Sequence, residues 1–156
     1  MLSPQTRYLQ IAFNDDLAGA LRLLPQLPRS PRILVEAGTP FIKREGLNGV
    51  RALRGAWNGL IVADLKTSDG ARQEVAMAQA AGAGAVTVLG SAPVETLALF
   101  VRECRARGLV AMIDTLGMGD PLHVLRELRE PPNVVILHRG RDEETTRGKV
   151  IEYRHV

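Results

Sequence analysis

Short apolar runs alternate along this chain with stretches in which apolar residues return at helical spacing. The runs are Tyr8–Phe13, Arg32–Ala37, Leu60–Leu65, Ala85–Leu89, Leu109–Ile113 and Val134–Leu137. They recur about every 25 residues, the length of one strand–helix unit with short loops. Between them, Leu17, Ala20, Leu21 and Leu24 share one helical face, and so do Val75, Met77, Ala78 and Ala81. Leu97, Phe100, Val101 and Cys104 form a third face, and Leu122, Leu125 and Leu128 a fourth. Gly82, Gly108 and Pro131–Pro132 supply the stop signals.

Strict alternation of strand and helix predicts parallel strands joined by right-handed crossovers. Such units close either as an open doubly wound sheet or as a barrel. The polar residues favour the barrel. Side chains alternate along a strand, so Val62, Asp64 and Lys66 share one face of the third strand. By the same rule Val110, Met112 and Asp114 align on the fifth strand, and Val134, Ile136 and His138 on the sixth. Each row ends in a polar residue at the carboxyl end of its strand, where a barrel carries its site. Eight units of this length need about 200 residues, and the chain has 156. The expectation is one α/β domain: a (β/α) TIM-type barrel truncated to about six units. Val150–Val156 reads as the opening of a sixth helix.

The segment Asp64-Leu-Lys66-Thr-Ser-Asp69 is the most informative in the chain. Asp64 and Lys66 point into one cavity with opposite charges. An ion pair with Ser68 or Asp69 as a helix cap is the plain alternative, but burying an acid–base pair is costly unless it is well partnered. Glu36 ends the second strand beside Asp64. The two carboxylates form a possible pair of hard oxygen ligands for Mg²⁺, which takes one or two carboxylates and completes its shell with water or substrate. His138 falls on the inward row, where it can shuttle a proton, and a neighbouring arginine can hold an anionic oxygen. Asp114 is inward as well. His123 and His155 lack such company and read as surface residues.

Composition narrows the picture. Lys plus Arg number 20 against 17 Asp plus Glu, with scattered basic residues and only 4% aromatics. Nucleic-acid binding calls for a basic stripe with stacking aromatics, so an anionic small molecule is the better match. The single cysteine, Cys104, excludes an intramolecular disulfide and reads as a buried structural thiol. With no secretory pattern and no apolar run of membrane length, a cytoplasmic protein is expected.

These residues carry a resemblance. Leu9-Gln10-Ile-Ala, Glu36-Ala-Gly-Thr39-Pro, Asp64-Leu-Lys66-Thr-Ser-Asp69, Val-Thr87-Val-Leu-Gly90, Met-Ile-Asp114 and His138-Arg139-Gly-Arg141-Asp occur in the order of the orotidine-monophosphate-decarboxylase superfamily. Within it, Glu-x-Gly-Thr-Pro resembles the sugar-phosphate branch of 3-hexulose-6-phosphate synthase and 3-keto-L-gulonate-6-phosphate decarboxylase. The resemblance implies Mg²⁺ on Glu36 and Asp64, enediolate stabilisation by Lys66, and Asp69 helping to position the substrate. It implies proton transfer and water positioning by His138 and Arg141, with Gln10, Thr39 and Asp114 binding substrate. Where the family commonly has an Asp after the first strand, this chain reads Phe13-Asn14-Asp15, and either Asn14 or Asp15 takes the substrate-hydroxyl contact. The implied reaction is an aldol cleavage or condensation of a sugar phosphate with formaldehyde, run by a homodimer or larger oligomer in which another chain or a swapped element completes the barrel. A related decarboxylation is the first alternative. The second is a non-catalytic barrel fragment that serves as a binding or assembly module through its open strand edges.

Overall fold

The computed structural model describes residues 2–147. His155 and the segment Val150–Val156 therefore lie outside the described residues. Strands β1 (Leu9–Phe13), β2 (Ile33–Ala37), β3 (Ile61–Thr67), β4 (Ala85–Leu89), β5 (Val110–Asp114) and β6 (Val134–Ile136) alternate with six helices. These are α1 (Leu17–Leu23), α2 (Thr39–Ala56), α3 (Ala71–Ala80), α4 (Val94–Ala106), α5 (Pro121–Glu127) and α6 (Arg141–Arg147). The sixth helix thus opens directly after Gly140, with Asp142, Glu143 and Glu144 in its first turn. Acidic side chains there complement the positive end of the helix dipole.

All neighbouring strands pair in parallel, and their spatial order is the chain order β1 to β6. This order separates a barrel from an open sheet. A doubly wound sheet reverses its strand order to place helices on both faces, whereas a run without reversal sends every right-handed crossover to the same face. The chain forms six consecutive units of a (β/α) barrel.

Two hydrophobic clusters follow from this arrangement. The larger one lies between sheet and helices and includes Val35, Phe41, Leu53, Ile61, Val75, Leu97, Phe100 and Ile113. The smaller one, Leu34, Val62, Ala85, Val110 and Met112, sits on the opposite face, the barrel interior, with Leu2 and Tyr8 packed against it. The expected inward rows are therefore inward. Tyr8 also accepts a hydrogen bond from the Ser3 backbone at 3.0 Å, folding the first residues beneath the strand starts.

The longest helix, α2, buries Phe41, Gly49, Val50 and Leu53 and is not among the helical faces expected from the sequence. It kinks at Gly46, whose backbone takes φ 62° and ψ −164°. Past the kink, Gly49 packs under Phe41: a Cβ there would fall 2.6 Å from the Phe41 ring. Asp16 caps α1 by accepting from the Gly19 amide at 2.7 Å, and Asp120 caps α5 by accepting from His123. His123 is exposed and pairs with Glu127 one turn on, in keeping with its surface reading.

Cys104 is fully buried in the helix-side core. Burial pushes its thiol up to about 12; the Arg107 cation opposes this and the Glu103 carboxylate adds to it. A thiol whose folded pKa is raised costs nothing while protonated. Its cost begins above the unfolded value near 9 and grows as pH climbs toward 12. Native protein at pH 8 is expected to leave Cys104 unmodified by iodoacetamide and to react only after unfolding in denaturant. Rapid alkylation of the folded protein would contradict this packing.

Candidate active site

The carboxyl ends of the strands carry a chain of polar side chains on the interior face. On β3, Asp64 and Lys66 form the centre. Lys66 Nζ donates to Asp64 Oδ2 at 2.7 Å and lies 3.0 Å from Asp114 Oδ2, on β5. The Lys66 side chain is 18% exposed, and those of Asp64 and Asp114 are 8% and 1% exposed. At that depth the interaction is not a screened surface pair, and removing one partner of such a pair typically costs about 3–5 kcal/mol.

Asp64 is held by four donor contacts. Its Oδ2 accepts from the Thr39 hydroxyl at 2.8 Å, the Thr39 amide at 3.3 Å and Lys66 Nζ, while Oδ1 accepts from the Thr87 hydroxyl at 2.7 Å. Burial alone would raise its pKa, but the donors from Lys66, Thr87 and Thr39 outweigh it and hold the carboxyl below the usual range. Lys66 is the mirror case. Burial would lower its pKa, yet Asp64 and Asp114 keep it raised and cationic.

Glu36, on β2, differs. Burial pushes its carboxyl above the ordinary range; the amide of Gln10, on β1, pulls it back in part, and the Asp64 charge pushes it further up. Three acids, Glu36, Asp64 and Asp114, thus stand around a single ammonium. The excess of negative charge is what a divalent cation relieves. Among the described residues, no three His, Cys, Asp or Glu side chains converge to hold an ion alone. Two carboxylates with water or substrate suit Mg²⁺, so Glu36 and Asp64 fit that ion.

His138, immediately after β6, places Nδ1 2.8 Å and 3.0 Å from the two Asp114 oxygens. Its amide donates to Thr115 Oγ1, which itself donates to the Ile136 carbonyl. A carboxylate at Nδ1 assigns the ring proton to that nitrogen and leaves Nε2 for proton transfer.

Gln10, Glu36, Thr39, Asp64, Lys66, Asp114 and His138 therefore meet as one cluster. Asn14 sits at its edge: its Oδ1 would lie 2.0 Å from a Cβ on Gly38, the residue before Thr39. Asp69 and Arg141 are not brought in. Both are exposed, and Asp69 accepts only from the next amide, Gly70, at 2.8 Å. Nor does Ser68 or Asp69 cap α3, whose cap residue is Gly70 in a left-handed conformation. The residue missed by sequence reasoning is Thr87, on β4, 1% exposed and hydrogen-bonded to both Asp64 and Lys66. Alternation along β4 places it inward and was the available signal.

Fold and cluster together define a (β/α)-barrel protein with a polar site at the carboxyl ends of its strands. The chain belongs to the orotidine 5'-phosphate decarboxylase / HUMPS family, which matches residues 7–154. It is 44% identical over 139 residues to the bifunctional enzyme Fae/Hps of Methanocaldococcus jannaschii, covering 88% of this chain but only 36% of that relative. Among solved structures, a 3-hexulose-6-phosphate synthase superposes with a TM-score of 0.84 at 34% identity, covering 92% of this chain and 70% of the other. A 3-keto-L-gulonate-6-phosphate decarboxylase from Vibrio cholerae follows with a TM-score of 0.76 at 27% identity, covering 89% and 65%. The chain thus spans about a third of the length of the curated relatives it matches.

The raised Glu36 carboxyl has a consequence for stability. A group whose pKa rises on folding stabilises fully below its unfolded pKa, and that contribution is lost as pH rises through the folded value. At neutral pH the charged Glu36 therefore weighs against the fold. Metal-free Glu36→Gln protein is expected to melt about 2–4 °C higher than wild type at pH 7.5. A melting temperature at or below that of wild type would show that this charge is not strained.

Proposed function

We propose that this chain carries the site of a 3-hexulose-6-phosphate synthase-type aldehyde-lyase. It interconverts D-ribulose 5-phosphate plus formaldehyde and D-arabino-3-hexulose 6-phosphate. The observation that carries the reading is Lys66, an ammonium held between Asp64 and Asp114 next to a further carboxylate, Glu36.

The chemistry needs a carbanion next to a ketone. In the condensing direction a proton leaves C1 of the ketose and a C–C bond forms to the formaldehyde carbon. The formaldehyde oxygen then takes up a proton. Negative charge accumulates on the ketose oxygens at the first step, and the residues answer it in place. Lys66 brings its ammonium to those oxygens, already oriented by two acids, so little reorganisation is needed. Nε2 of His138 moves the proton, while Asp114 fixes the ring through Nδ1. Mg²⁺, held by Glu36 and Asp64, would supply Lewis-acid polarisation of the substrate oxygens. Gln10 orients Glu36, and Thr39 orients Asp64. Asn14, Thr39 and Asp114 would contribute to the substrate-hydroxyl contacts.

Asp69 and Arg141 belong to the proposal in a different way. Both are exposed and outside their own cluster. By the family resemblance, Asp69 would complete the neighbouring site of a homodimer. Arg141, at the start of α6, would hold a water or anionic oxygen at the rim. Among the described residues no helix is long and apolar enough to cross a membrane, and a small phosphorylated substrate in aqueous solution is consistent with that.

The test is formaldehyde-dependent loss of ribulose 5-phosphate in the presence of Mg²⁺. Asp64→Asn is expected to lower kcat by about 100- to 1000-fold and His138→Gln by about 100-fold or more. Turnover that persists in both variants would sink the assignment. Release of CO₂ from 3-keto-L-gulonate 6-phosphate, without formaldehyde condensation, would replace it by the decarboxylase.

A further inference from the structure

Strand β3 does not run evenly against β4. Ala63 pairs with Val86 and Thr67 with Val88, so β3 takes four steps where β4 takes two. Asp64, Leu65 and Lys66 fill the bulge opposite Thr87. Lys66 there has φ 47°, the one non-glycine residue with positive φ among the described residues. A bulged residue loses its ladder partner, and a side chain with a Cβ resists this conformation unless neighbours enforce it.

Thr87 supplies what the ladder does not. Its Oγ1 accepts the Lys66 amide at 2.9 Å in place of a backbone carbonyl. The same hydroxyl lies 2.7 Å from Asp64 Oδ1. Because the oxygen already accepts from Lys66, its own hydrogen is the one directed to the carboxylate. Only a group that donates and accepts at a single atom can do both, and among small β-branched side chains that is threonine.

We infer that Thr87 is a positioning residue. Its hydroxyl locks the left-handed turn at Lys66 and the Asp64 carboxylate together, fixing where the ammonium and the carboxylate stand for the reaction. This rests on the aldehyde-lyase reading for its kinetic consequence, but not for the turn itself. Thr87 touches no substrate; it acts through Asp64 and Lys66.

Thr87→Val keeps the β-branched shape and removes the hydroxyl, and Thr87→Ser restores it. The first measurement is structural: backbone and Cβ chemical shifts of Lys66, which report its left-handed conformation. The second is turnover of ribulose 5-phosphate and formaldehyde. Thr87→Val is expected to shift the Lys66 resonances out of the left-handed range and lower kcat by about 10- to 100-fold, with KM changed less than about twofold. Thr87→Ser should retain the wild-type shifts and recover most of the rate. Wild-type shifts in Thr87→Val would overturn the proposal, as would an altered turn with unchanged kcat. If wild type itself turns nothing over, the aldehyde-lyase reading fails. The Lys66 shifts then decide the positioning role alone. If Thr87→Val does not fold, the comparison passes to Thr87→Ser and Thr87→Cys. A serine no better than cysteine in rate and in Lys66 shift would overturn the proposal.

Discussion

A buried ammonium has to be matched where it stands, and in this barrel Lys66 sets the terms for everything near it. Two carboxylates from different strands, Asp64 and Asp114, reach its Nζ. Neither can drift, because each is held from its other side. Thr39 and Thr87 grip Asp64, and the Leu116 amide and His138 grip Asp114. The Lys66–Asp114 ion pair therefore ties β3 to β5 across β4, and the Thr39 hydrogen bonds tie the start of α2 to β3. Stability and chemistry place opposite demands on the cluster. Pairing the lysine satisfies its charge, while Glu36 adds an acid that the fold does not neutralise. An excess carboxylate at the end of a barrel strand is a poor way to hold a protein together and a good way to hold a cation.

The architecture makes that arrangement possible. Consecutive parallel strands with all helices on one side leave the opposite face to a second layer of side chains. Leu34, Val62, Ala85, Val110 and Met112 fill its lower part. They raise the polar layer to the carboxyl ends and deny it water from below, which strengthens the electrostatics above. The helix-side core carries the larger share of apolar burial and is built from separate residues on the same strands. Alternation along each strand lets one sequence serve both faces, and Asp64, Asp114 and His138 sit toward the carboxyl ends of the inner rows.

This division explains what the sequence discloses. Asp64, Asp114 and His138 are legible because a period of two puts them at the ends of rows that begin apolar. Lys66 is legible for a less secure reason. A period of two holds for a regular strand, yet β3 bulges at this point. The bulge inserts an even number of residues, so the alternation survives and the lysine still faces inward. Thr87 hides because Ala-Val-Thr-Val-Leu is ordinary strand composition, in which threonine is a good former on either face. What it does depends on the register of its neighbour, which no local pattern encodes. Helix α2 hides because Gly46 breaks it and Gly49 replaces an apolar side chain with a bare backbone on which Phe41 rests. Its core contact is made by an absence. Asp69 is legible as a motif residue but not as a member of the cluster, since spacing along a chain says nothing about a turn that carries it outward.

The proton inventory of the cluster follows from its donors. Asp64 stands within hydrogen-bond reach of Thr39, Lys66 and Thr87, and the Lys66 ammonium, which can only donate, holds it as an anion. Asp114 receives from Lys66, the Leu116 amide and His138. On the proposed reading a proton would enter and leave through the far nitrogen of the His138 ring, since Nδ1 faces Asp114. Glu36 keeps spare acceptor capacity and is the carboxyl that burial makes costly to charge, so a cation beside it would favour its ionised form. On the proposed reading the cluster divides the two jobs of an enolising site. Charge would be answered at the β2–β3 side by Glu36, Asp64 and Lys66, and protons handled at the β5–β6 side by His138 on Asp114. Lys66 belongs to both, since its ammonium touches one acid from each, and that is the physical reason its conformation has to be held so firmly.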